Sequence, residues 1–314
     1  MVGEGSRGGL DRLWVGSTRL AGLAVLSLLV AVLGALAVGS WPAWQRFGAG
    51  FAFRETWNPV TEEFGAAAAV YGTLVTSAIA MVIAVPLSFG IALFITELCP
   101  RWLKRPVGVA VELLAAIPSI IYGMWGLFVF APLWAEKGEP WLTEHLGPLP
   151  LAGPLFDGPP IGIGLLTAGL ILAVMVVPFV AAVMRDVFET VPAPLKESAY
   201  GLGATTWEVT WKVVVPYTRV GALGGVMLGL GRALGETMAV TFVIGNAHAI
   251  HASLFLPGNT ISSTLANEFT EAVGEIHTSS LIALGLILFV LTSIVLALSR
   301  WMLSRLSRRE GVRA

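Results

Sequence analysis

Six long runs of apolar residues constrain the fold more than any other feature of the sequence. Each run is long enough for a helix to cross the roughly 30 Å hydrocarbon core of a bilayer. Only 12% of the residues are charged, against about 25% in a typical soluble domain. We therefore predict an all-α integral membrane protein with six transmembrane helices, at residues 18–39, 67–96, 107–134, 161–184, 220–245 and 278–300.

The distribution of Lys and Arg predicts the orientation, because basic residues concentrate in cytoplasmic segments. Of the 19 basic residues, 15 fall on one side of the six predicted spans, three fall on the other, and Arg232 lies within a span. The bias predicts cytoplasmic termini, with a disordered tail at 1–17, a membrane domain at 18–300 and a basic tail at 301–314. The net charge of −1 gives no support for nucleic-acid binding.

Two segments on the predicted outer side have more than one interpretation. Residues 40–66 are rich in Trp and Phe, which favours an interfacial aromatic belt over a surface for a partner. Residues 246–277 contain no Lys or Arg, but they carry His248, His251, Glu268, Glu271, Glu275 and His277. Histidines with carboxylates can hold a metal, but nothing fixes a full ligand set, so we predict solvated loop residues and no metal site.

The predicted cytoplasmic stretch 185–219 has the pattern of two short helices. Gly203 marks the C-terminal end of the first, and Thr205 with Glu208 has the form of a capping box that begins the second. Pro216 marks the return to the membrane. Because helices of about eight to ten residues are unstable alone in water, the stretch predicts a docking element for another protein. The alternative is a helix that rests on the bilayer surface.

The predicted fifth span carries two charges, Arg232 and Glu236. At about 100° per residue, both fall on one helical face with Gly221, Gly225 and Gly229. Glycines at this spacing let another helix approach closely, so we predict helix packing at this face. The two charges can pair as i,i+4 neighbours. Three interpretations remain: a structural salt bridge, an oxyanion site built on the guanidinium, or a protonatable Glu236 that couples transport to an ion.

The cytoplasmic stretch resembles the Glu-Ala-Ala…Gly…Ile-x-Leu-Pro loop of bacterial ABC importer permeases. The match runs through Glu197-Ser198-Ala199, Gly203 and Val213-x-Val215-Pro216. This resemblance implies the six-helix type I (MetI-like) permease fold and a coupling helix seated in a groove of a cytoplasmic ATPase. The chain has no G-x-x-x-x-G-K-[ST] phosphate loop. We therefore predict that it is not an enzyme, that it binds no cofactor, and that a partner ATPase binds ATP and Mg.

Three further stretches, at 112–119, 229–241 and 257–261, are similar to the PstC family of phosphate-importer permeases. This resemblance implies that Arg232, Glu236 and Thr237 belong to the translocation pathway of inorganic phosphate.

The resemblance also implies a multi-pass protein of the bacterial cytoplasmic (inner) membrane with three partners. These are a PstA-like sister permease, a PstB-like ATPase dimer and a PstS-like periplasmic phosphate-binding protein. A permease for another oxyanion (sulfate or molybdate) and an ATP-independent anion symporter are the alternatives.

Overall fold

The computed structural model describes residues 4–150 and 152–309. These residues form helices joined by loops, with one isolated β-bridge between Asn58 and Glu63. The helices are α1 (Glu4–Gly39), α2 (Trp41–Phe47), α3 (Ala67–Leu93), α4 (Arg101–Ala115), α5 (Ser119–Trp125), α6 (Ala131–Leu133), α7 (Glu139–Leu146), α8 (Leu165–Glu189), α9 (Ala193–Gly201), α10 (Thr206–Val209), α11 (Val215–Leu234), α12 (Met238–Thr241), α13 (Ile261–Glu268) and α14 (Glu275–Arg309). Short π-helical segments join α5 to α7 and α10 to α11 into continuous helical units.

Within the described ranges, six helical stretches are long and apolar enough to cross a membrane. They are Leu13–Gly39, Ala67–Leu98, Ser119–Leu146, Leu165–Glu189, Thr206–Leu234 and Glu275–Arg305. A helix satisfies its backbone N–H and C=O groups within one segment, which is what a span through hydrocarbon requires. The all-α class and the number of spans are therefore confirmed.

The fourth span, α8, is the centre of the bundle. In its most apolar stretch 61% of the residues are buried, against 28% or less for the other candidate spans of the described chain. On one side, α3 packs along it, and the Ser88 hydroxyl donates a hydrogen bond to the carbonyl oxygen of Val177 at 2.9 Å. Gly169 of α8 brings Ile79 of α3 so close that an added Cβ would lie 2.6 Å from it.

The face of α11 that carries three glycines packs against another side of α8. A Cβ added to Gly221, Gly225 or Gly229 would lie 2.7, 3.0 or 2.4 Å from a methyl group of α8; the methyl groups belong to Val187, Val183 and Val180, in that order. The order shows that the two helices run antiparallel. The structure thus places these glycines where backbones approach closely, as small residues in membrane helices permit.

The third span was predicted as one helix at 107–134, and this is wrong. The structure ends α4 at Ala115 and begins α5 at Ser119, and the candidate span extends to Leu146. Pro118 causes the break, because proline has no N–H to donate and its ring disfavours helical geometry at the preceding residue.

The fifth span was predicted at 220–245 and differs at both ends. It begins at Thr206, because α10 continues into α11, and it ends at Leu234. The fourth span also extends to Glu189. The stretch between the two spans is therefore shorter than predicted, and Pro216 lies in the first turn of α11 rather than at a return to the membrane.

Both predicted tails are largely helical, so the disordered N-terminal tail is wrong over its described part. The first helix, α1, begins at Glu4 and continues through the first span, and α14 extends to Arg309. Residues 1–3 and 310–314 of the predicted tails lie outside the described residues.

The segment 40–66, predicted on the outer side, is folded into the protein rather than arranged as an aromatic belt. Phe51, Trp57 and Phe64 are at most 9% exposed and pack in one apolar cluster with Leu284 of α14. The prediction of an interfacial belt is therefore wrong for these three rings.

Replacing Gly229 by alanine should destabilise the packing of α11 on α8, whereas Gly224→Ala should not. At Gly229 the new methyl would lie 2.4 Å from the stiff side chain of Val180, while nothing lies within 4 Å of a methyl at Gly224. Overpacking costs about 1–3 kcal/mol, and replacing a helical glycine in open space stabilises by up to about 1 kcal/mol. We expect a lower melting temperature for detergent-purified G229A only; equal values for the two variants would contradict the close approach.

Candidate functional site

Arg232 lies in the last turn of α11, about halfway along α8. Three residues earlier in α11, Gly229 meets Val180 and Val176 of α8, and the Arg232 guanidinium lies 5.4 Å from the ring centre of Phe179. This distance is within the range of a cation–π interaction. Because α8 is a full span, the guanidinium lies near the middle of the membrane domain rather than at either surface.

The fifth span breaks immediately after Arg232. Residues 235–237 are not helical, and α12 then begins at Met238, beside Gly123 of α5. A charged residue at a break in a membrane helix is typical of substrate sites in transporters, where half-helix ends and free backbone groups meet near the midplane.

The predicted pairing of Arg232 with Glu236 on one continuous helical face is wrong. Glu236 lies beyond the end of the helix, and its Oε1 accepts a hydrogen bond from the backbone N–H of Ala239 at 3.2 Å. Glu236 thereby satisfies an N–H in the first turn of α12 instead of the guanidinium. Thr237 is partly buried in the same break, and its hydroxyl lies 3.4 Å from the carbonyl oxygen of Gly235.

The guanidinium of Arg232 keeps donors free. Its Nε is buried without a hydrogen-bond partner, and it makes no salt bridge with any residue that the structure describes. The Tyr122 hydroxyl lies within electrostatic range but donates its hydrogen bond to Leu114 O at 2.8 Å. A planar group of N–H donors with an unsatisfied member suits a tetrahedral oxyanion.

The irregular segment after the break is held by other parts of the protein. Gly164 donates its backbone N–H to Val243 O, and Gly258 donates to Ile244 O, both at 3.0 Å. Non-helical backbone at membrane depth requires such partners or a water-filled cavity. These hydrogen bonds anchor the segment that follows α12.

The predicted docking element consists of α9, α10 and the turn between them. The predicted capping box is confirmed, since Thr205 Oγ1 accepts from the Glu208 N–H and Glu208 Oε2 accepts from the Thr205 N–H. The first helix ends at Gly201, two residues earlier than predicted. Gly203 follows with a φ of +86°, which favours glycine because other residues carry a Cβ.

The residues of the signature loop are mostly exposed. Glu197 and Ser198 face solvent, with the Ser198 hydroxyl donating to Pro194 O at 2.7 Å, and Pro216 is exposed as well. Ala199 is partly buried against the main core cluster, whereas Leu202 at the tip is 90% exposed.

An ion pair fastens this element to the bundle. Lys196 Nζ lies 2.5 Å from Oε1 of Glu97, which follows α3, and the side chains are only 19% and 7% exposed. A buried ion pair of this kind is costly to break, because the remaining charge would have no partner. The pair therefore links α9 to the end of the second span.

The prediction of solvated loop residues is wrong for two of the histidines, His248 and His277, whose side chains are largely buried. His248 and His277 contact the two carboxylate oxygens of Glu268 at 2.9 and 3.2 Å, and Trp57 Nε1 donates to Oε2 at 2.8 Å. Burial by itself raises the pKa of Glu268. The hydrogen bonds from His248, Trp57 and His277 together lower it by more than burial raises it, so the pKa lies below its usual value. Among the described residues no group of three or more His, Cys, Asp or Glu could hold a metal ion.

Sequence reasoning missed the contacts that shape the site, because their members are distant along the chain. Phe179 and Tyr122 lie on other helices than Arg232, and Glu97 is 99 residues from Lys196. Each of these residues lies in or next to an apolar run, and no spacing rule links it to its partner.

Comparison with known proteins identifies the family. Residues 84–308 match the family described as binding-protein-dependent transport system inner membrane component. The chain belongs to this family. It is 61% identical over 301 residues to the phosphate transport system permease protein PstC of Mesorhizobium japonicum, covering 96% of this chain and 92% of that one. It is 59% identical to PstC of Pasteurella multocida, covering 96% of this chain and 94% of the relative.

The PstC resemblance deduced from the sequence is thereby confirmed. Solved structures agree on the fold at low identity. A bacterial alginate ABC transporter chain matches with a TM-score of 0.61 at 16% identity, over 96% of both chains. A chain of the MetNI methionine ABC transporter matches with a TM-score of 0.56, also at 16% identity, over 76% of this chain and 94% of that one. The predicted type I importer permease fold is confirmed, and the chain is a multi-pass inner-membrane protein.

Replacing Glu268 by glutamine should destabilise the outer cluster at neutral pH. The carboxylate accepts three hydrogen bonds, and bonds to a charged group contribute about 1.5–3 kcal/mol each. Because the folded pKa is below the unfolded one, this stabilisation is present above the unfolded pKa and is lost as pH falls through the folded value. The melting temperature of E268Q should lie below that of the wild type at pH 7, and the gap should narrow below about pH 4.

The exposed neighbour Glu271 provides the matched control. E271Q should melt at the wild-type temperature throughout the same pH series. A melting temperature of E268Q equal to that of E271Q at pH 7 would contradict a stabilising role for the cluster.

Proposed function

We propose that this chain is the transmembrane permease subunit of an ATP-driven inorganic phosphate importer, with Arg232 on the path of the anion. The observation that carries the proposal is the Arg232 guanidinium at the mid-membrane break, whose buried Nε has no hydrogen-bond partner and which makes no salt bridge with any described residue. The relatives of the chain are phosphate permeases. Arg232 would offer its free donors to phosphate oxygens, and Glu236 and Thr237 would hold the shape of the break.

The positive charge of Arg232 explains why this arrangement suits the transport of an anion. A lone cation in the membrane costs about 2.5–3.5 kcal/mol on insertion scales, and an entering anion relieves part of that cost. A protein carboxylate in permanent contact would instead compete with the anion. Binding that is favourable but made through few groups allows release, which transport requires as much as capture.

ATP hydrolysis would belong to a separate subunit, because a permease subunit of this family is not itself an enzyme. The exposed tip of α9 offers Leu202 and the neighbouring Trp207 to the groove of a PstB-like ATPase dimer that binds ATP and Mg. Movement of α9 would pass through Lys196 and Glu97 to the second span. A PstA-like sister permease would complete the pathway by alternating access.

The basic residues support an orientation with the docking element and both termini in the cytoplasm. A PstS-like phosphate-binding protein would then dock on the opposite, periplasmic end, where the folded segment 40–66 and α13, which carries Glu268, lie.

Phosphate uptake by Arg232→Gln tests the pathway. Proteoliposomes that hold the complete transporter would be supplied with ATP and radiolabelled phosphate, with ATPase turnover recorded in parallel. Loss of the charged donors should lower uptake by about 10- to 100-fold, while assembly and basal ATPase activity are retained. Arg232→Lys should be intermediate, because it keeps the charge but lacks the planar fork.

The exposed Arg300 provides a control for general charge effects, and R300Q should transport at the wild-type rate. Unchanged uptake in R232Q would make Arg232 structural. Wild-type uptake of sulfate or molybdate in place of phosphate would support a permease for another oxyanion, and phosphate uptake without ATP would support a symporter.

Leu202→Asp tests the docking of the ATPase. Leu202 is 90% exposed, and an aspartate there cannot be buried in an apolar groove without a large desolvation cost. Recovery of the ATPase with the tagged permease should fall by about tenfold or more. Val273→Asp is the matched control, since Val273 is 87% exposed in the loop before α14; an equal loss in V273D would contradict docking at α9.

A further inference from the structure

A polar cavity lies at the same end of the bundle as the docking element, and no residue proposed for the anion pathway lines it. It has a volume of about 320 Å³ and lies between α4, the end of α8 and the π-helical turn that follows α3. Its charged lining consists of four basic side chains and two carboxylates: Arg101, Lys104, Arg105, Arg185, Glu112 and Glu189.

The two carboxylates are already engaged. Glu189 Oε1 lies 3.1 Å from Lys104 Nζ, and Glu112 Oε1 lies 2.7 Å from Arg185 Nη2. Arg185 also contacts Asp186 at 2.8 Å. These pairs tie α4 to the end of α8 and neutralise two of the four cations.

The other two cations have no such partner. Arg101 and Arg105 are exposed one turn apart on α4, and neither makes a salt bridge within residues 4–150 and 152–309. Trp102 next to Arg101 is 76% exposed, as is typical of residues at the level of lipid headgroups. The cavity therefore has excess positive charge where a headgroup phosphate would lie.

An apolar cavity follows the polar one along the same three helices. It measures about 390 Å³. Ile83, Leu87 and Ile91 of α3 lie at four-residue spacing and line the apolar cavity. Ile95, four residues further on in the π-helical turn, lines the polar cavity. On α8, Pro178 lines the apolar cavity, and Arg185, two turns further on, lines the polar one. The two cavities are thus successive parts of one seam.

We propose that this seam binds one anionic phospholipid, with its phosphate at Arg101 and Arg105 and an acyl chain in the apolar cavity. Basic pockets between membrane helices suit such headgroups, and guanidinium groups match phosphate oxygens. Two other occupants fit less well. An inorganic anion has no apolar group that could fill the apolar cavity, and a wholly apolar helix has no charged group that could pair with the arginines. The lipid joins α4 to α3 and α8 beside Glu97, where the docking element is fastened.

The experiment uses the full chain, purified with its co-purifying subunits in a neutral detergent and stripped of lipid. Dioleoyl phosphatidylglycerol is titrated in, and thermal unfolding is followed by fluorescence; dioleoyl phosphatidylcholine and glycerol 3-phosphate are titrated separately. We expect phosphatidylglycerol to raise the melting temperature well above the effect of the other two. The double variant R101A/R105A should need about tenfold more phosphatidylglycerol for half-maximal stabilisation.

Two further variants make the test specific. R19A/R300A removes two exposed basic residues outside both cavities and should leave the titration unchanged. Val174→Phe fills part of the apolar cavity at a half-exposed position and should weaken phosphatidylglycerol binding. A wild-type melting temperature without lipid shows that each variant is folded.

Three results would overturn the proposal. Equal stabilisation by glycerol 3-phosphate would show an anion site without a lipid, and equal stabilisation by phosphatidylcholine would remove the role of the arginines. Equal weakening by R19A/R300A would show diffuse charge attraction instead of a site.

Discussion

Close packing against α8 is the interaction on which the rest of this structure depends. In lipid, apolar side chains gain little by leaving the solvent, so helices associate through van der Waals contact and hydrogen bonds. Two glycines allow those contacts on two sides of α8. Gly169 of α8 packs against Ile79 of α3, and Gly229 of α11 packs against Val180 of α8. The glycine face also sets the depth of α11, and therefore determines that Arg232 ends halfway along α8. A shift of one turn along this interface would move the guanidinium by about 5.4 Å.

The break after Leu234 is followed by a short helix and a loop, and specific hydrogen bonds hold both of them. Glu236 caps the first turn of α12, and the loop beyond α12 bonds to Gly164 and Gly258. The sequence predicts Glu236 as a partner for Arg232. In the structure its carboxylate instead bonds to the backbone at the start of the next helix, α12. Its effect is to leave Arg232 without a permanent counter-charge.

Sequence patterns predicted the parts of the fold that depend on local rules. Hydropathy gave six spans, the Thr205–Glu208 spacing gave a capping box, and glycine spacing gave a packing face. The helical wheel failed at Glu236 because it assumes that the helix continues, and nothing in an apolar run shows that it ends at Leu234. The cluster around Glu268 was missed for a different reason, since its partner Trp57 is 211 residues away.

The basic side chains discussed above fall into two groups, those that form an ion pair within the protein and those that do not. Arg185 lies near the end of α8 and Lys196 lies in α9, and each contacts a carboxylate, Glu112 or Glu97 respectively, within 2.7 Å. Such pairs fix helices to one another and have no capacity left for a ligand. Arg232 is the contrasting case, with a buried Nε that no described group satisfies. An unsatisfied buried donor is expensive, and this cost is the physical reason for placing an anion beside the break in the proposed function. In that proposal a bound anion would neutralise the charge beside the broken span, and its release would restore the cost of a lone cation in the membrane.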